Sequence, residues 1–522
     1  MYFKNNTGDE NLDHLRTMLS DLLIQDLFQS KYIRVLSEGR LLNILEELNQ
    51  TDARSYSSRV LQEVAVRGRV NHILQGNYAK AGDIIRVSVT LQDAATMELI
   101  ASEGVEGKGQ ESIFTMVDEL TKRIKTHFQL SDEEIASDID MEIGQITTSH
   151  PEAYEYYSEG MRHQYKGDHR QCIQSMERAL AIDPEFAMAY RSMAWSYSAL
   201  AYRSSKWKDY NQKAFELSDR LSDRERYLIQ ADFYMSTVRA YDEAIEAYNK
   251  LLKLYPEDVS GNTNQARLYY RLEQWDKAIE RCELLTQNKV QAMRPYTLLA
   301  SNYMAKGLYD KSREILDYYL NEFSDNGAIH RNMAFNYLAQ GKYDLAQVEV
   351  DKATVIDPDH PRNFIIKGHI NHLKGDIINA EKEYQSILNT DEQAEHQMGI
   401  SWLGHLNLLQ GKFEKSRAHL KQGLELAIKL REKGAESGFY SRLAYSYLKS
   451  EDIDGALEES KKSERSSIEE RGCSFCHQKW ALLYKGLTYV EKKSMAEAQR
   501  TAAELKDLIQ KGVNKNYMRL YF

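Results

Sequence analysis

The chain has 522 residues, 42% of them hydrophobic, and a formal net charge of -10. This length suffices for a small domain plus a long repeat array with a continuous core. The acidic balance argues against nucleic acid as the main ligand, since phosphate binding requires a basic face, and no run of about 20 apolar residues is present to cross a bilayer.

The first 130 residues alternate between helical and extended patterns. The predicted elements are, in chain order, a helix at 10–30, a strand at 31–37, a helix at 57–68, three strands at 71–80, 82–93 and 97–107, and a helix at 110–128. Turn residues separate the three consecutive strands, which is typical of an antiparallel meander, and the last helix has one apolar face. The sequence therefore predicts a small α+β domain at residues 1–130.

Two segments of this domain carry a resemblance. The segments HILQGNYAKAGDIIRVSVTLQDAATMELIAS and FKNNTGDENLDHL resemble the amino-terminal domain of TolB and the related FlgO-like domains. The resemblance implies a bacterial signalling protein, in which such a domain precedes tetratricopeptide repeats and is joined to a Ser/Thr kinase, a nucleotide cyclase or a winged-helix domain. Because only Met1, Tyr2 and Phe3 precede the expected first strand, we expect the chain to be a segment of a longer protein.

Residues 131–150 are acidic, and His150 precedes Pro151, which disfavours a continuous helix. We interpret this stretch as a solvated linker. A metal-binding reading of Asp138 and Asp140 fails, because an EF-hand loop needs more oxygen ligands at fixed spacing and a turn glycine among them.

From residue 151 onward, small residues recur with a period near 34. The first set is Cys172, Ala244, Ala278, Ser312, Ala346, Ala380, Ser416, Ala456 and Ala498. The second set, on the preceding helix of each unit, is Gly160, Ala194, Ala266, Ala300, Ala334, Gly368, Gly404, Ala444 and Gly486. Small residues at both positions allow two helices to approach closely, a glycine in the connecting turn suits the helix C-terminus, and Pro184, Pro256 and Pro358 stop the second helix.

These residues resemble the tetratricopeptide repeat (TPR) family over about residues 151–510, in about ten units, of which the second is irregular because Lys206 stands at a small position. The resemblance implies a mostly α protein, an α-solenoid whose helical hairpins form a right-handed superhelix with the first helix of each hairpin on its concave face. The predicted organisation is therefore an α+β domain at 1–130, a linker at 131–150 and the superhelix at 151–522. A repeat array presents a surface for holding other molecules.

The repeat phase predicts which side chains line that concave face. They are Arg267, Tyr270, Arg294, Thr297, Arg331, His369 and His372. This partly basic line suits an acidic peptide or a C-terminal carboxylate, because guanidinium groups pair bidentately with carboxylates. The alternative is that long polar side chains merely solvate an exposed helix face.

One cysteine motif stands apart from the repeat pattern. Cys473, Cys476 and His477 form a C-x-x-C-H sequence, the spacing of covalent haem attachment. Inert loop thiols, a reversible disulfide and a haem or metal site remain alternatives. Cys172 and Cys282 stand at packing positions and are interpreted as small buried residues.

The sequence thus predicts a non-catalytic protein-interaction module without a cofactor, since it has no phosphate-binding loop, zinc helix or nucleophile elbow. It binds a protein or peptide partner, and self-association through the solenoid ends is an open alternative. Two other functions stay open: the regulatory segment of a larger kinase or cyclase, and a redox or haem-carrying protein. The few cysteines leave the compartment open; we expect a cytoplasmic chain as it stands, or a periplasmic one if it belongs to a longer membrane protein.

Overall fold

The structure, a computed structural model, describes residues 1–30, 32–128, 130–131, 133–134, 138, 141–165, 168–200, 206–235, 240–290, 292–323, 325–390, 393–469 and 474–511. The chain divides into two compact units. Unit 1 comprises residues 1–200, 209–230 and 253–255, and unit 2 comprises residues 201–208, 231–252 and 256–522. The protein is mostly helical, with a TPR-like solenoid and a small N-terminal sheet domain, so the predicted fold class is confirmed.

Unit 1 begins with a four-stranded sheet. The strands are β1 (Lys4–Asn5), β2 (His72–Ala81), β3 (Ile84–Asp93) and β4 (Leu99–Lys108), in the spatial order β1-β2-β3-β4. β1 runs parallel to β2, whereas β2, β3 and β4 form an antiparallel meander. The meander was predicted from the alternating segments, and alternate β3 residues such as Val87 and Val89 are buried in the core.

In the described part of this region, five α-helices accompany the sheet. They are α1 (Leu15–Leu27), α2 (Glu38–Glu47), α3 (Ser58–Gly68), α4 (Ile113–Lys125) and α5 (Ile143–Ile146). Leucines of α1 and the apolar face of α4 share one core with β3 and β4. Tyr78 of β2 is fully buried, and its hydroxyl donates a hydrogen bond to Leu12 O at 2.7 Å, so its polar end is satisfied within the core.

The predicted strand at residues 31–37 is wrong. Residues 32–37 form no strand, because Ser30 Oγ accepts hydrogen bonds from the backbone N–H groups of Tyr32 and Ile33 at 3.1 and 3.2 Å. Ser37 then caps α2 by accepting from Arg40 N, and α2 itself was not predicted. Local hydrogen bonds to serine side chains thus replace the strand pairing that the β-branched residues of this segment favoured.

The acidic stretch after α4 is only partly exposed. Asp138 pairs with Lys125 at 3.2 Å in a nearly inaccessible ion pair, and Thr147 and Thr148 are buried. Ile143 N donates to Asp118 Oδ1 at 2.8 Å, which fixes the start of α5. The expectation of a solvated linker is therefore wrong for these residues, whereas the domain bounds 1–130, 131–150 and 151–522 stay a prediction.

The rest of the chain is a series of helical hairpins. The helices are α6 (Pro151–Tyr165), α7 (His169–Ile182), α8 (Ala187–Leu200), α9 (Lys206–Glu216), α10 (Asp223–Met235), α11 (Tyr241–Leu254), α12 (Val259–Arg271), α13 (Trp275–Gln287), α14 (Met293–Ala305), α15 (Tyr309–Glu322), α16 (Gly327–Ala339), α17 (Tyr343–Ile356), α18 (Pro361–Leu373), α19 (Ile377–Ser386), α20 (Gln393–Leu409), α21 (Phe413–Lys429), α22 (Lys433–Lys449), α23 (Ile453–Glu469), α24 (Ser474–Glu491) and α25 (Met495–Lys511). The even-numbered helix of each pair is called helix A below, and the odd-numbered one helix B. The hairpins from α12 onward lie wholly in unit 2.

The recurring small residues sit where the two helices of a hairpin touch. Ala266 and Ala278, on helices A and B of one hairpin, are both fully buried. A Cβ added at Gly404 would lie 2.8 Å from Leu420 Cδ2, so even a methyl group here would require the Leu420 side chain to shift. In the turns, Gly307 and Gly341 have φ angles of 74° and 71°, the left-handed conformation expected at a helix C-terminus.

Candidate functional site

The position of the buried small residue on helix A indicates which side chains of that helix are accessible in unit 2. One residue after that position, the α-helix has turned by about 100°, so the next side chain lies beside the hairpin contact. Arg267 follows Ala266, His369 follows Gly368 and His405 follows Gly404. Arg267 and His369 are half-buried, and His405 is exposed. The same repeat position therefore places basic or titratable groups within reach of a ligand.

Three arginines of α12 and α14 form the first group, called the arginine cluster: Arg267, Arg271 and Arg294. Partial desolvation and the positive charges of Arg267 and Arg271 lower the pKa of Arg294 to about 10, while Asp232 opposes this shift. Desolvation and the charge of Arg267 likewise lower the pKa of Arg271. The three guanidinium groups therefore lie close enough to repel one another.

Arg267 is the least satisfied of the described groups in this cluster. Its Nη2 lies 3.8 Å from Met235 Sδ, a weak acceptor, and its buried Nε has no hydrogen-bond partner within the described residues. Asp232 already accepts hydrogen bonds from Tyr248 Oη at 3.1 Å and Asn264 Nδ2 at 3.2 Å. Arg271 and Arg294 are exposed, so an incoming carboxylate can reach the guanidinium groups of the cluster and pair with them.

The structure distributes the seven predicted face residues over different environments. Arg267 and Arg294 belong to the arginine cluster, and Tyr270 is 38% exposed on α12. Thr297 is half-buried, and its hydroxyl donates to Arg294 O at 3.1 Å within its own helix. His369 and His372 belong to a separate group on α18, described below. Arg271, which the sequence reasoning missed, completes the arginine cluster.

Arg331 does not belong with the other residues that were predicted to line the concave face. Only 8% of the residue is exposed, and its Nη1 lies 3.4 Å from both Asp357 Oδ2 and Asn363 Oδ1. It precedes the buried Ala334 by three residues, so both residues fall on one face of α16. Arg331 therefore holds neighbouring hairpins together, whereas the sequence analysis predicted that it lines the concave face.

The second group, called the histidine–tryptophan cluster, comprises His369, His372, Trp402 and His405. The ring centroids of His369 and Trp402 are 4.5 Å apart in an edge-to-face arrangement, and those of Trp402 and His405 are 5.8 Å apart. His369 Nδ1 shares a 2.8 Å hydrogen bond with the hydroxyl of Tyr384 on α19. Trp402 and His405 were missed in the sequence, although His405 repeats the phase of His369.

The charged groups that shift the pKa of His369 and His405 are all basic. Desolvation, followed by the charges of His372 and His405, lowers the pKa of His369 to about 4. Desolvation, Arg442 and His372 lower the pKa of His405. The cluster is therefore an aromatic surface whose charged neighbour, Arg442, is a cation.

The predicted cysteine motif lies largely outside the described residues. Cys473 is not described, and Cys476 and His477 fall in the first turn of α24, where their side chains are not described. Cys172 and Cys282 are buried, as predicted, and burial raises the pKa of Cys282 to about 12.

The described residues contain no group of three or more His, Cys, Asp or Glu side chains placed to hold a metal ion. None of the described helices is long and apolar enough to cross a membrane.

Comparisons with known proteins agree with the hairpin architecture. A family model described as tetratricopeptide repeat matches residues 226–258. The Hsp70-Hsp90 organising protein of Plasmodium falciparum is 25% identical over 177 residues, which cover 33% of this chain and 30% of that protein. A TPR repeat-containing protein of Methanocaldococcus jannaschii is 24% identical over 139 residues, which cover 27% of this chain and 24% of that protein. The matched segments thus span less than a third of these relatives.

Among solved structures, the crystal structure of the APC/C hetero-tetramer Cut9-Hcn1 aligns over 98% of this chain and 90% of that chain, with a TM-score of 0.42 and 12% identity. At this TM-score and identity the alignment supports no conclusion about function.

Proposed function

We propose that this chain, whose residues 226–258 match a tetratricopeptide repeat family model, is a non-catalytic scaffold that binds an acidic peptide segment of a protein partner on the helix A face of unit 2. TPR proteins act as protein-interaction scaffolds. The observation that carries the proposal is the arginine cluster, in which like charges crowd around Arg267. A carboxylate ligand relieves that repulsion and pairs with the guanidinium groups.

The proposal is tested with the full chain and a defined probe, a fluorescent 16-residue peptide of alternating Glu and Ser. When extended it reaches at most about 58 Å at about 3.6 Å per residue, which is enough to follow several helices. We expect binding that weakens with salt, because the attraction is between charges. The same peptide with Gln in place of Glu should not bind.

Two variants locate the site. Arg267→Gln with Arg294→Gln should weaken binding of the Glu-Ser probe at least tenfold, since one lost charge-assisted hydrogen bond costs about 1.5–3 kcal/mol. Arg313→Gln is the matched control, because Arg313 lies on helix B and pairs with Asp310 at 3.0 Å. Equal affinity of all three proteins would overturn the assignment of the site.

We further infer that the α+β domain is TolB-like or FlgO-like and that the protein is the sensory or scaffolding part of a bacterial signalling protein. The antiparallel meander and its flanking helices support this assignment. A longer reading frame encoding a kinase or cyclase would favour the alternative of a regulatory segment of an enzyme. Sedimentation of the purified chain tests self-association, and a Soret band in protein from a cytochrome-maturing host tests haem at Cys473, Cys476 and His477.

A further inference from the structure

The histidine–tryptophan cluster combines features that the arginine cluster lacks. It contributes three imidazole rings, a group that can take up a proton, around the half-buried indole ring of Trp402. Trp402 touches His369 on α18 and His405 on its own helix. Because His405 is exposed, a ligand reaches the cluster without displacing the packed His369.

The groups facing the cluster come from four helices. α18 contributes His369 and His372, α19 contributes the Tyr384 hydroxyl, α20 contributes Trp402 and His405, and α22 contributes Arg442. Arg442 Nη1 also donates to Gly438 O of its own helix at 3.0 Å. None of the groups that shift His369 or His405 is acidic.

We propose that the histidine–tryptophan cluster is a second subsite for the acidic ligand, which accepts a carboxylate side chain beside His405 and His372 and takes up a proton from solvent as it does so. This inference rests on the proposed function, because it assigns a second contact to the same acidic peptide. The bond formed is an ion pair between imidazolium and carboxylate, and no covalent bond changes.

The direction of the pH effect follows from linkage. In the free protein, the pKa of His405 is lowered by desolvation, Arg442 and His372, so its imidazole is neutral at pH 7. A bound carboxylate favours the protonated form and raises that pKa. The complex therefore holds more protons than the separate partners, and affinity rises as pH falls through the pKa of the bound state. The ligand carboxylates stay ionised above about pH 5, given an ordinary Glu pKa of about 4.3.

Isothermal titration calorimetry of the full chain with the Glu-Ser probe measures this proton uptake directly. Titrations at pH 6.5 in phosphate and in Tris differ in observed enthalpy in proportion to the protons taken up on binding. We expect net uptake in the wild type and tighter binding at pH 6 than at pH 8, by up to about tenfold for each unit of pKa shift.

Variants separate the two subsites. His405→Gln should abolish most of the proton uptake and flatten the pH dependence, and His372→Gln should weaken binding of the Glu-Ser probe. His419→Gln is the matched control, because half-buried His419 lies on helix B, where its Nδ1 contacts Lys415 O at 3.0 Å. Neither His372 nor His405 is buried, so circular dichroism of both variants should match the wild type.

The outcomes distinguish this inference from the proposed function. Binding that depends on Arg267 and Arg294 but shows no proton uptake overturns the second subsite and leaves the scaffold proposal standing. Proton uptake that persists in full in His405→Gln also overturns it. No binding of the Glu-Ser probe at any pH from 6 to 8 overturns both proposals.

Discussion

Gly368 on α18 faces the ring of Tyr384 on α19 so closely that an added Cβ would lie 2.3 Å from Tyr384 Cε1. Tyr384 is itself buried, and its hydroxyl contacts His369 at 2.8 Å. The ring therefore cannot move away without breaking the histidine–tryptophan cluster. One glycine thus joins the packing of a hairpin to the geometry of a candidate binding surface.

We expect Gly368→Ala to destabilise the protein by about 1–3 kcal/mol, the usual cost of overpacking a close-packed site. Gly486→Ala is the matched control, because the nearest atom to its added Cβ, Thr501 Cγ2, is 3.7 Å away. Alanine there should be neutral or stabilise α24 by up to about 1 kcal/mol through helix propensity. Thermal unfolding followed by circular dichroism measures both, and equal melting temperatures would contradict the packing argument.

A second prediction concerns turns that lack the usual glycine. Glu273 and Glu451 have φ angles of 56° and 63° at the position that Gly341 occupies with 71°. The left-handed conformation costs a non-glycine residue about 1–2 kcal/mol. Glu273→Gly and Glu451→Gly should therefore each stabilise the protein by up to about 1 kcal/mol, part of the gain being lost to greater freedom of the unfolded chain.

The reciprocal change is the control for these turns. Gly341→Ala has open space around its Cβ, so any loss of stability arises from the backbone conformation alone. We expect it to destabilise by about 1 kcal/mol. Urea unfolding of all three variants provides the measurement, and a stabilising Gly341→Ala would show that the φ angle is not what selects glycine.

The hairpins were predictable because their signals are local and repeated. Ala266 and Ala278 must be small for steric reasons, and Gly341 must adopt a positive φ. Each requirement makes a residue type recur in the sequence at a fixed spacing. The strand predicted at 31–37 was wrong because the backbone conformation there depends on the Ser30 and Ser37 side chains, which accept hydrogen bonds from backbone N–H groups. Residue type alone does not show this competition.

The candidate site was predictable only in part. Arg267 and Arg294 share the accessible face by repeat phase, whereas Arg331 lies one turn before Ala334 and finds Asp357 and Asn363 in the next connection and hairpin. These contacts join residues far apart in sequence. No recurring pattern in a single sequence identifies such partners, so the burial of Arg331 could not be predicted.

A third prediction concerns a buried pair of carboxyl groups in unit 1. Asp21 is 1% exposed, and Ser158 Oγ donates to its Oδ2. Arg162 Nη1 lies 3.8 Å from the same oxygen. Burial raises the pKa of Asp21 to about 7, against the opposing effect of Arg162. Burial, and then the negative charge of Asp21, also raise the pKa of Glu38.

The sign of the resulting pH dependence is fixed by these raised values. Between about pH 4, the ordinary pKa of an Asp in an unfolded chain, and pH 7, the folded state holds more protons than the unfolded state. The stability that this pair contributes should therefore be greatest at and below about pH 4 and should fall as pH rises to about 7. The loss is a few kcal/mol at about 1.4 kcal/mol per unit of pKa difference.

Asp21→Asn tests this effect because it keeps the shape and removes the titrating proton. The variant should lose part of the decline in melting temperature between pH 5 and pH 8. Asp93→Asn serves as the control: Asp93 is a surface residue whose lowered pKa comes from hydrogen bonds to Thr96 and Ala95, so its removal should not reduce the decline. A wild-type melting temperature that rises from pH 5 to pH 8 in step with Asp21→Asn would contradict the prediction.

The last prediction distinguishes a structural role for Arg331 from a ligand-binding role for Arg267. Arg331 contacts Asp357 and Asn363 from a buried position, whereas Arg267 has a buried Nε without a partner among the described residues. Arg331→Met keeps most of the side-chain volume and removes the charge. It should destabilise unit 2 by about 1–3 kcal/mol, because Asn363 and Asp357 lose a donor, yet leave affinity for the Glu-Ser probe within about twofold, as expected for a residue that makes no ligand contact.

Arg267→Met should show the opposite pattern. Removing one of three mutually repelling charges costs little stability and relieves repulsion within the arginine cluster, while the lost guanidinium weakens binding. Melting temperature and probe affinity, measured on both proteins under one buffer condition, form the test. If Arg331→Met abolished binding at a temperature where unit 2 is fully folded, Arg331 would belong to the binding face after all, and the burial of its guanidinium would have to open when the ligand arrives.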